Sequence, residues 1–329
     1  MAEAGLLHRQ PGFYIVVLIT NTLLLTLSLA LLLVFTNPWA RALDAVFLGI
    51  ISGQLGFQLH DSGHNQMFET KWKNRLIGII TGDVLLGMSY GWWVDKHNRH
   101  HGQPNHVDLD PDISIGVIAY NREQLAEKKG LLRFIAAYQA YLFFPLLFGL
   151  AWSMHVTGVK FLLSKRNGLH QTELVVLAFH LVLYIALMVS LVGPLQALMV
   201  IVIQKCVGGF YLAAVFAPNH KGMPQIEEGV SLDFLRSQVL TSRNVRSHPA
   251  TDLLYGALNY QVEHHLFPGM ARNKVKKAQA IVRSYCAEIG VPYYETSILQ
   301  SYREILSFLH EIGEPLRRRR QSEAVETAS

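Results

Sequence analysis

Long apolar stretches alternate with short polar ones along this chain, and four of them are long enough to span a bilayer. A membrane-spanning helix needs about 20 consecutive apolar residues. The four stretches are residues 13–35, 43–59, 174–192 and 195–216. Only a short link separates the first from the second, and the third from the fourth. Each pair is therefore predicted to form a helical hairpin whose two ends lie on the same side of the membrane.

A fifth apolar stretch, residues 131–155, is interrupted by Pro145 and flanked by basic residues. Proline inside a helix removes a hydrogen bond and bends the helix. A single crossing here would put Lys160 and Lys165 on the side opposite Lys96, against the tendency of basic loops to stay cytoplasmic. We therefore predict that this stretch lies in the membrane interface, or re-enters it without crossing.

These patterns predict an all-α integral membrane protein with four transmembrane helices in two hairpins and a helical cytosolic cap. Two amphipathic helices are expected in the cap, at residues 274–289 and 295–312. The predicted units are a cytosolic N-terminus (1–12), a first hairpin (13–59), a cytosolic or interfacial segment (60–171), a second hairpin (172–217), the cap (218–320) and a disordered tail (321–329).

The composition supports a membrane protein and narrows the chemistry. Half of the 329 residues are hydrophobic and only 16% are charged, below the quarter or so that is usual in soluble domains. Two cysteines, Cys206 and Cys286, are too few for a disulfide framework or a thiolate metal site. The net charge of +5 comes from basic loops and from residues 317–320. It indicates membrane topology and contact with anionic lipid, not nucleic acid; a solvated basic tail is an equal alternative for residues 317–320.

The fifteen histidines are unevenly distributed, and several form spaced groups. "HDSGH" follows the second apolar stretch, "HNRHH" lies in the following segment, "NH" ends the fourth stretch and "QVEHH" lies in the cap. Spacings of three and four put side chains on one face of a helix. If the predicted topology holds, all of these groups lie on the cytoplasmic side. The eight histidines in these groups are His60, His64, His97, His100, His101, His220, His264 and His265.

Eight imidazoles are too many for one tetrahedral zinc ion, which takes four ligands. They suit two first-row metal ions of higher coordination number. Nitrogen-rich sites without thiolates are compatible with iron, copper, nickel or zinc, and the spacing does not choose among them.

The three groups "HDSGH", "HNRHH" and "QVEHH" resemble the histidine boxes of the membrane-bound fatty acid desaturases, with similarity from about residue 45 to 300. The glutamine that opens the third box, Gln261, resembles the front-end subgroup. Those enzymes insert a cis double bond between the carboxyl end and an existing double bond of an acyl chain. The resemblance implies two iron ions, held by the eight histidines with Gln261 beside them, and an O₂-dependent reaction on an acyl-lipid or acyl-CoA.

Two departures from the family pattern affect these expectations. Many front-end members carry an N-terminal cytochrome b5 domain, and no His-Pro-Gly-Gly motif occurs here. Electrons are therefore expected from a separate donor, either a ferredoxin or cytochrome b5 with its reductase. Stearoyl-type relatives have an asparagine four residues before the lone histidine, where this chain has Phe216. Asn219 is adjacent in sequence to the histidine but is expected to point elsewhere on a helix, so Gln261 is expected to replace the water ligand held there.

Partner residues follow from the need to orient ligating histidines, which usually donate their second N–H to a carboxylate or carbonyl. An acyl chain also needs a dry tunnel, and a polar side chain inside a span is costly and usually faces a cavity or partner. The candidates for the hydrogen-bond partners are Asp61, Asp95, Asp108, Asp112, Glu263 and Asn219; those for the tunnel are Trp92, Trp93, Gln204 and Lys205.

Other functions remain open at this stage. The same histidine set would serve a lipid hydroxylase or a sphingolipid desaturase. The same metal centre can transfer oxygen to a carbon atom instead of removing a second hydrogen, and the histidine spacing does not distinguish these reactions. A metal transporter is a remote alternative, since the histidines cluster beyond the ends of the apolar stretches instead of along them. For location, the expectation is a bacterial inner membrane in preference to the endoplasmic reticulum, with the histidines on the cytoplasmic side.

Overall fold

The structure is a computed structural model that describes residues 1–165 and 168–328. Ser329, the last residue of the predicted tail, lies outside the described residues. In chain order the helices are α1 (Pro11–Val34), α2 (Pro38–Gly63), α3 (Lys71–Ile79), α4 (Tyr90–Gly102), α5 (Arg122–Glu127), α6 (Gly130–Ala137), α7 (Gln139–Leu147), α8 (Leu150–Ser164), α9 (Gly168–Val192), α10 (Pro194–His220), α11 (Phe234–Leu240), α12 (Pro249–Leu254), α13 (Gln261–Leu266), α14 (Arg272–Glu288) and α15 (Ile298–Ala328). A π-helical segment, Ile80–Leu86, follows α3, and two short strands, β1 (Asn244–Val245) and β2 (Glu295–Thr296), pair in parallel.

Four helices, α1, α2, α9 and α10, are long and apolar enough to cross a membrane, with mean hydropathy from 1.4 to 2.6. They correspond to the four predicted stretches but are longer. Three of them begin with proline in the first turn, where its missing N–H costs nothing. Helices α2 and α10 also continue past their apolar residues to Gly63 and His220. Hydropathy alone does not detect those polar last turns.

Helices α2 and α10 pack unusually closely because small residues of α2 face large ones of α10. A Cβ atom at Gly53 would lie 2.1 Å from the Tyr211 ring, and one at Gly56 would lie 2.8 Å from Leu212. This close approach brings the C-terminal ends of both helices together. The rings of His60 and Phe216, near those ends, have centroids 6.4 Å apart.

The segment between the two hairpins consists of short, sharply bent helices. The π-helical segment and α4 meet at 115°, and Ser89 caps α4 by accepting a hydrogen bond from Trp92 N at 3.0 Å. Helices α6 and α7 meet at 104°. Length and composition would allow each bent pair to form a further span. That the 131–155 stretch does not cross therefore stays a prediction.

The C-terminal region contains the two amphipathic helices expected from the sequence, as α14 and α15. Ile305 and Leu309 of α15 are buried against Phe143 and Leu147 of α7. Helix α15 continues to Ala328, into the segment for which the sequence predicted disorder. The chain contains no glycine or proline after Pro315, and residues of these types are compatible with a helix. The predicted fold class, an all-α membrane protein with four spans and a histidine cluster, is confirmed.

Candidate metal centre

The eight histidines come from four helices whose ends converge. The last turn of α2 and its C-cap provide His60 and His64, and the last residue of α10 is His220. Helix α4 provides three histidines and α13 provides two. The spacing of three and four places the α4 rings on one face, as the sequence predicted.

The first group of rings surrounds a small common volume. One ring nitrogen from each of His60, His64, His97 and His264 lies within 4.8 Å of the others. The Nε2 atom of His101 lies 3.1 Å from His97 Nε2 and 3.2 Å from His264 Nε2. We call these five residues the first cluster.

The second group consists of His100, His220 and His265, whose ring nitrogens also lie within 4.8 Å of one another. All three residues are buried. The His101 and His265 rings stack with centroids 4.1 Å apart, so the two groups are adjacent. We call these three residues the second cluster.

Burial favours the neutral form of four of these rings, His97, His101, His264 and His265. Desolvation, followed by the neighbouring histidines, lowers the pKa of His97, His101, His264 and His265 well below the usual value of 6.5. Neutral imidazole is the form that binds metal ions. The cluster is therefore ready to bind cations at neutral pH.

The donor set fits two metal ions. His60 donates through Nδ1 towards Asp61 at 3.3 Å, so its Nε2 presents a lone pair to His264 Nε2, 3.1 Å away. The buried Nε2 atoms of His64 and His265 have no hydrogen-bond partner. Lone pairs aimed at one another across so short a distance repel each other unless a cation or a shared proton lies between them. Imidazole ligation without thiolate is compatible with iron, copper, nickel or zinc.

Asp61 is the sequence candidate that lies closest to the first cluster. Its Oδ1 atom is 3.3 Å from His60 Nδ1, and its Oδ2 atom is 3.0 Å from Arg272 Nε. The carboxylate therefore orients the His60 ring, and Arg272 at the start of α14 neutralises the carboxylate. Arg272 was not anticipated from the sequence, because an arginine at a helix start has no distinctive spacing.

The carboxylate that serves the second cluster is Asp110, which the sequence analysis did not select. Both of its oxygens lie 3.0 Å from His100 Nδ1, and the residue is fully buried. Asp112 is 3.6 Å from the same nitrogen and forms an ion pair with Lys96. Its neighbours Asp108 and Asp112 were candidates from the sequence, but no periodicity in a loop distinguishes the inward carboxylate.

Two further hydrogen-bond partners of the second cluster were not predicted from the sequence. One is a backbone carbonyl and the other is an isolated glutamine, and neither has a distinctive sequence pattern. His220 Nδ1 donates to the Thr241 carbonyl at 3.1 Å. His265 Nδ1 donates to Gln238 Oε1 at 2.8 Å, and Gln238 Nε2 donates to the His101 carbonyl. These bonds leave the Nε2 atoms of both histidines facing the cluster.

Gln261 and Asn219 lie together beside the second cluster. Asn219 Nδ2 donates to Gln261 Oε1 at 3.0 Å, and Gln261 Nε2 lies 2.8 Å from His220 Nε2. With this amide orientation Gln261 presents its nitrogen to the cluster. A role for Gln261 as an oxygen ligand or water holder stays a prediction.

The other candidate acids do not contact a ligand ring. Asp95 is exposed and pairs with Arg99, and Asp108 is exposed in the loop after α4. Glu263 is buried, but its carboxylate accepts hydrogen bonds from Asn244 and from Tyr293. Burial is the largest influence on the Glu263 pKa and raises it. Its position inside the third box therefore serves packing of the cap.

Of the four tunnel candidates, Gln204 and Lys205 line a cavity between α2, α8, α10 and the end of the π-helical segment. Trp92 and Trp93 do not line it, but they pack with Leu86, which does. The Trp93 ring stacks on His97, with centroids 4.4 Å apart. An apolar cluster thus connects the cavity wall with the histidines. The cavity is lined by Ser52, Leu86, Met88, Ala151, Met154, His155, Gln204, Lys205, Gly208 and Leu212.

The sequence of the chain is similar to that of known proteins. The sequence model of the fatty acid desaturase family matches residues 37–297. An acyl-lipid (9-3)-desaturase of Physcomitrium patens is 32% identical over 320 residues, which cover 92% of this chain and 59% of the relative. A Delta(8)-fatty-acid desaturase of Euglena gracilis is 31% identical over 265 residues, covering 76% of this chain and 62% of the relative.

A third relative is the Delta(5) fatty acid desaturase fat-4 of Caenorhabditis elegans, 27% identical over 301 residues. The alignment covers 88% of this chain and 66% of that protein. The chain thus spans between 59% and 66% of the length of these three relatives. The family match extends over all four groups of histidines. The chain belongs to the fatty acid desaturase family.

Proposed function

We propose that this protein is an O₂-dependent acyl desaturase of the front-end type that holds two iron ions. The observation that supports this most strongly is the convergence of eight imidazoles into two adjacent clusters. The names of the relatives, which include Delta(5) and Delta(8) desaturases, support the front-end type. An acyl-lipid is the favoured substrate, with acyl-CoA as the alternative, because one relative is named as an acyl-lipid desaturase.

The metal ions would supply the oxidising power that no side chain has, since activation of O₂ belongs to the cofactor. Removal of two hydrogen atoms from adjacent methylenes gives the double bond, and O₂ is reduced to two waters. This balance requires two further electrons and two protons. We propose that a separate one-electron carrier, a ferredoxin or cytochrome b5, supplies the electrons.

The protein's own contribution is orientation and exclusion of water. Asp61, Asp110, Gln238 and the Thr241 carbonyl accept the Nδ1 protons, so the Nε2 lone pairs face inward. Trp93 covers one side of the first cluster through its stack on His97. Such a dry, apolar wall favours an acyl chain over water.

The cavity beside Leu86 and Met88 is the candidate end of the acyl path. Its lining is mostly apolar, and the same two residues pack with Trp92 and Trp93. Lys205 lies at its polar side and donates to the Leu86 carbonyl at 3.0 Å. We propose that the methyl end of the chain lies here, with Lys205 and Gln204 at its limit.

The distribution of charge supports a proposal for the side of the membrane on which the clusters lie. Basic residues such as Lys71, Lys73 and Arg75 lie in the segment that precedes α4, and basic segments stay in the cytoplasm. We propose that both clusters lie at the cytoplasmic face, in a bacterial inner membrane. A tag placed in the segment that carries the histidines would test this side. If the tag were accessible only from the non-cytoplasmic face, the proposed side would be wrong.

The test is expression in a host without the activity, followed by fatty acid profiling by mass spectrometry. Wild type should produce acyl chains lighter by two hydrogens, and His264→Ala should produce none. His8→Ala, at an exposed histidine near the N-terminus, is the matched control and should behave as wild type.

Other products would identify the alternatives. Chains heavier by one oxygen would indicate a hydroxylase, and unsaturation confined to sphingolipid bases would indicate a sphingolipid desaturase. Metal accumulation in vesicles with no lipid product would indicate a transporter. Equal profiles from wild type and His264→Ala would refute the desaturase proposal.

A further inference from the structure

The segment between α11 and α12, residues 241–246, contacts two helices that carry second-cluster ligands. These are α10, which carries His220, and α13, which carries His265. Its first carbonyl, that of Thr241, accepts the Nδ1 proton of His220 at 3.1 Å. The same carbonyl accepts a hydrogen bond from Asn105 at 3.3 Å. None of the histidine groups in the sequence includes this segment, and no ligand comes from it.

Arg243 holds the C-terminal end of α10. The residue is fully buried. Its guanidinium donates to the carbonyls of Pro218 and Lys221, and its backbone N–H donates to the Asn219 carbonyl at 2.9 Å. The last carbonyls of a helix have no partner within the helix, and they form the negative end of its dipole. One arginine thus binds the carbonyls on both sides of His220.

A buried guanidinium needs a compensating charge, and Glu304 of α15 provides it through an ion pair with Arg243. The Ser301 carbonyl, also in α15, accepts a further hydrogen bond at 3.4 Å. The position of His220 is therefore coupled to α15 through Arg243.

The next residue, Asn244, holds the first turn of α13 in the same way. Its Oδ1 accepts from Val262 N at 2.9 Å, and its Nδ2 donates to Glu263 Oε2 at 2.6 Å. Its backbone N–H donates to the Tyr294 carbonyl at 3.0 Å. Asn244 is fully buried. It therefore sets the position of the helix turn that presents His265.

We propose that Arg243 and Asn244 are positioning residues that set the spacing between His220 and His265, and so the affinity of the second cluster for its metal ion. This inference rests on the proposed function only in that each cluster binds one ion. A single peptide unit connects the residue that holds α10 to the residue that holds α13. The first cluster has no ligand on α10, so its affinity should depend much less on Arg243.

The experiment is titration of metal-free, full-length protein with Co²⁺, followed by visible absorption. His64→Ala and His265→Ala identify the spectral step that belongs to each cluster. Arg243→Lys keeps the charge but loses the forked geometry that reaches two carbonyls. We expect it to weaken the second-cluster step about 10- to 100-fold, the usual effect of losing an outer partner of a metal ligand, and to leave the first-cluster step unchanged.

Arg246→Lys is the matched control, because Arg246 is exposed three residues further on; both steps should stay as in wild type. Asn244→Ala should weaken both steps, because α13 carries His264 of the first cluster as well as His265 of the second. In Arg243→Lys, the retained first-cluster step shows that the variant is folded. Unchanged binding in Arg243→Lys, or equal weakening of both steps in that variant, would overturn the inference. Wild type that binds two ions but forms no unsaturated product would refute the proposed function alone.

Discussion

The Nε2 atoms of His60 and His264 lie 3.1 Å apart, although 204 residues separate them in the chain. His60 ends a membrane-spanning helix, and His264 lies on the short helix α13 of the cap. The two rings meet because Asp61 orients one of them and the 241–246 segment fixes the helix of the other.

Asp61→Asn tests whether the Asp61 carboxylate orients the His60 ring. The amide keeps the size of the side chain but removes the charge that pairs with Arg272 and accepts from His60. We expect the affinity of the first cluster for iron to fall about 10- to 100-fold. Iron retained after dialysis against a chelator measures this. Asp95→Asn removes an exposed carboxylate on α4 and should retain iron as wild type does; equal retention in both variants would contradict the prediction.

Periodicity and hydropathy predicted the features that depend on local sequence. The four spans and the shared face of the α4 histidines follow directly from spacing. The partners of the histidine rings did not follow, because they come from loops and backbone atoms. Gln238 and the Thr241 carbonyl have no sequence signature, and their roles arise only when α11 packs against α13. Likewise, Glu263 lies between two box residues but faces Tyr293.

Asp110→Asn should weaken the second cluster, since both carboxylate oxygens of Asp110 lie 3.0 Å from His100 Nδ1. The carboxylate also accepts from the backbone N–H groups of Asn105 and Asp112. The amide retains only one acceptor for these three donors, and a buried unpaired donor costs about 1–3 kcal/mol. We expect the purified variant to contain about one iron ion per chain instead of two, as counted by inductively coupled plasma mass spectrometry.

The control for that variant is Asp108→Asn, two residues earlier in the same loop. Asp108 is exposed, and its side chain contacts none of the ligand rings. Its iron content should equal that of wild type. If Asp108→Asn lost iron and Asp110→Asn kept it, the assignment of the inward carboxylate would be wrong.

A buried carboxyl outside the metal centre should make stability depend on pH. Asp83, in the π-helical segment, is fully buried, and its pKa is raised to about 9 by burial and then by Glu173. Glu173 in turn accepts from Gly91 N at 2.9 Å and from Ser89, at the start of α4. The folded chain thus keeps a proton on Asp83 that the unfolded chain has lost. Stability falls as pH rises between the unfolded and folded pKa values.

Asp83→Asn should remove this dependence, because the amide imitates the protonated acid. We expect an apparent melting temperature several degrees above that of wild type at about pH 8, and a smaller difference at about pH 5. Thermal unfolding in detergent measures both. Asp108→Asn should match wild type at either pH, and a gain that is the same at both pH values would contradict the assignment of the proton to Asp83.

The polar side of the cavity offers a test of the acyl path. Lys205 Nζ donates to the Leu86 carbonyl, lies 2.9 Å from His155 Nε2 and sits 5.4 Å from the centre of the Tyr184 ring. Lys205→Met keeps the length of the side chain but makes the polar side of the cavity apolar and flexible. We expect the preference between long and short acyl chains to change by about tenfold, the lower end of the effect of one methylene in a fitted pocket.

Chain-length competition, read by mass spectrometry of the unsaturated products, measures the change. Lys160→Met is the matched control, because Lys160 is an exposed lysine of α8 and its loss should not alter the profile. A Lys205→Met enzyme with wild-type activity, chain preference and double-bond position would show that the chain does not reach this cavity. The acyl path would then have to leave the histidines in another direction, away from Leu86 and Met88.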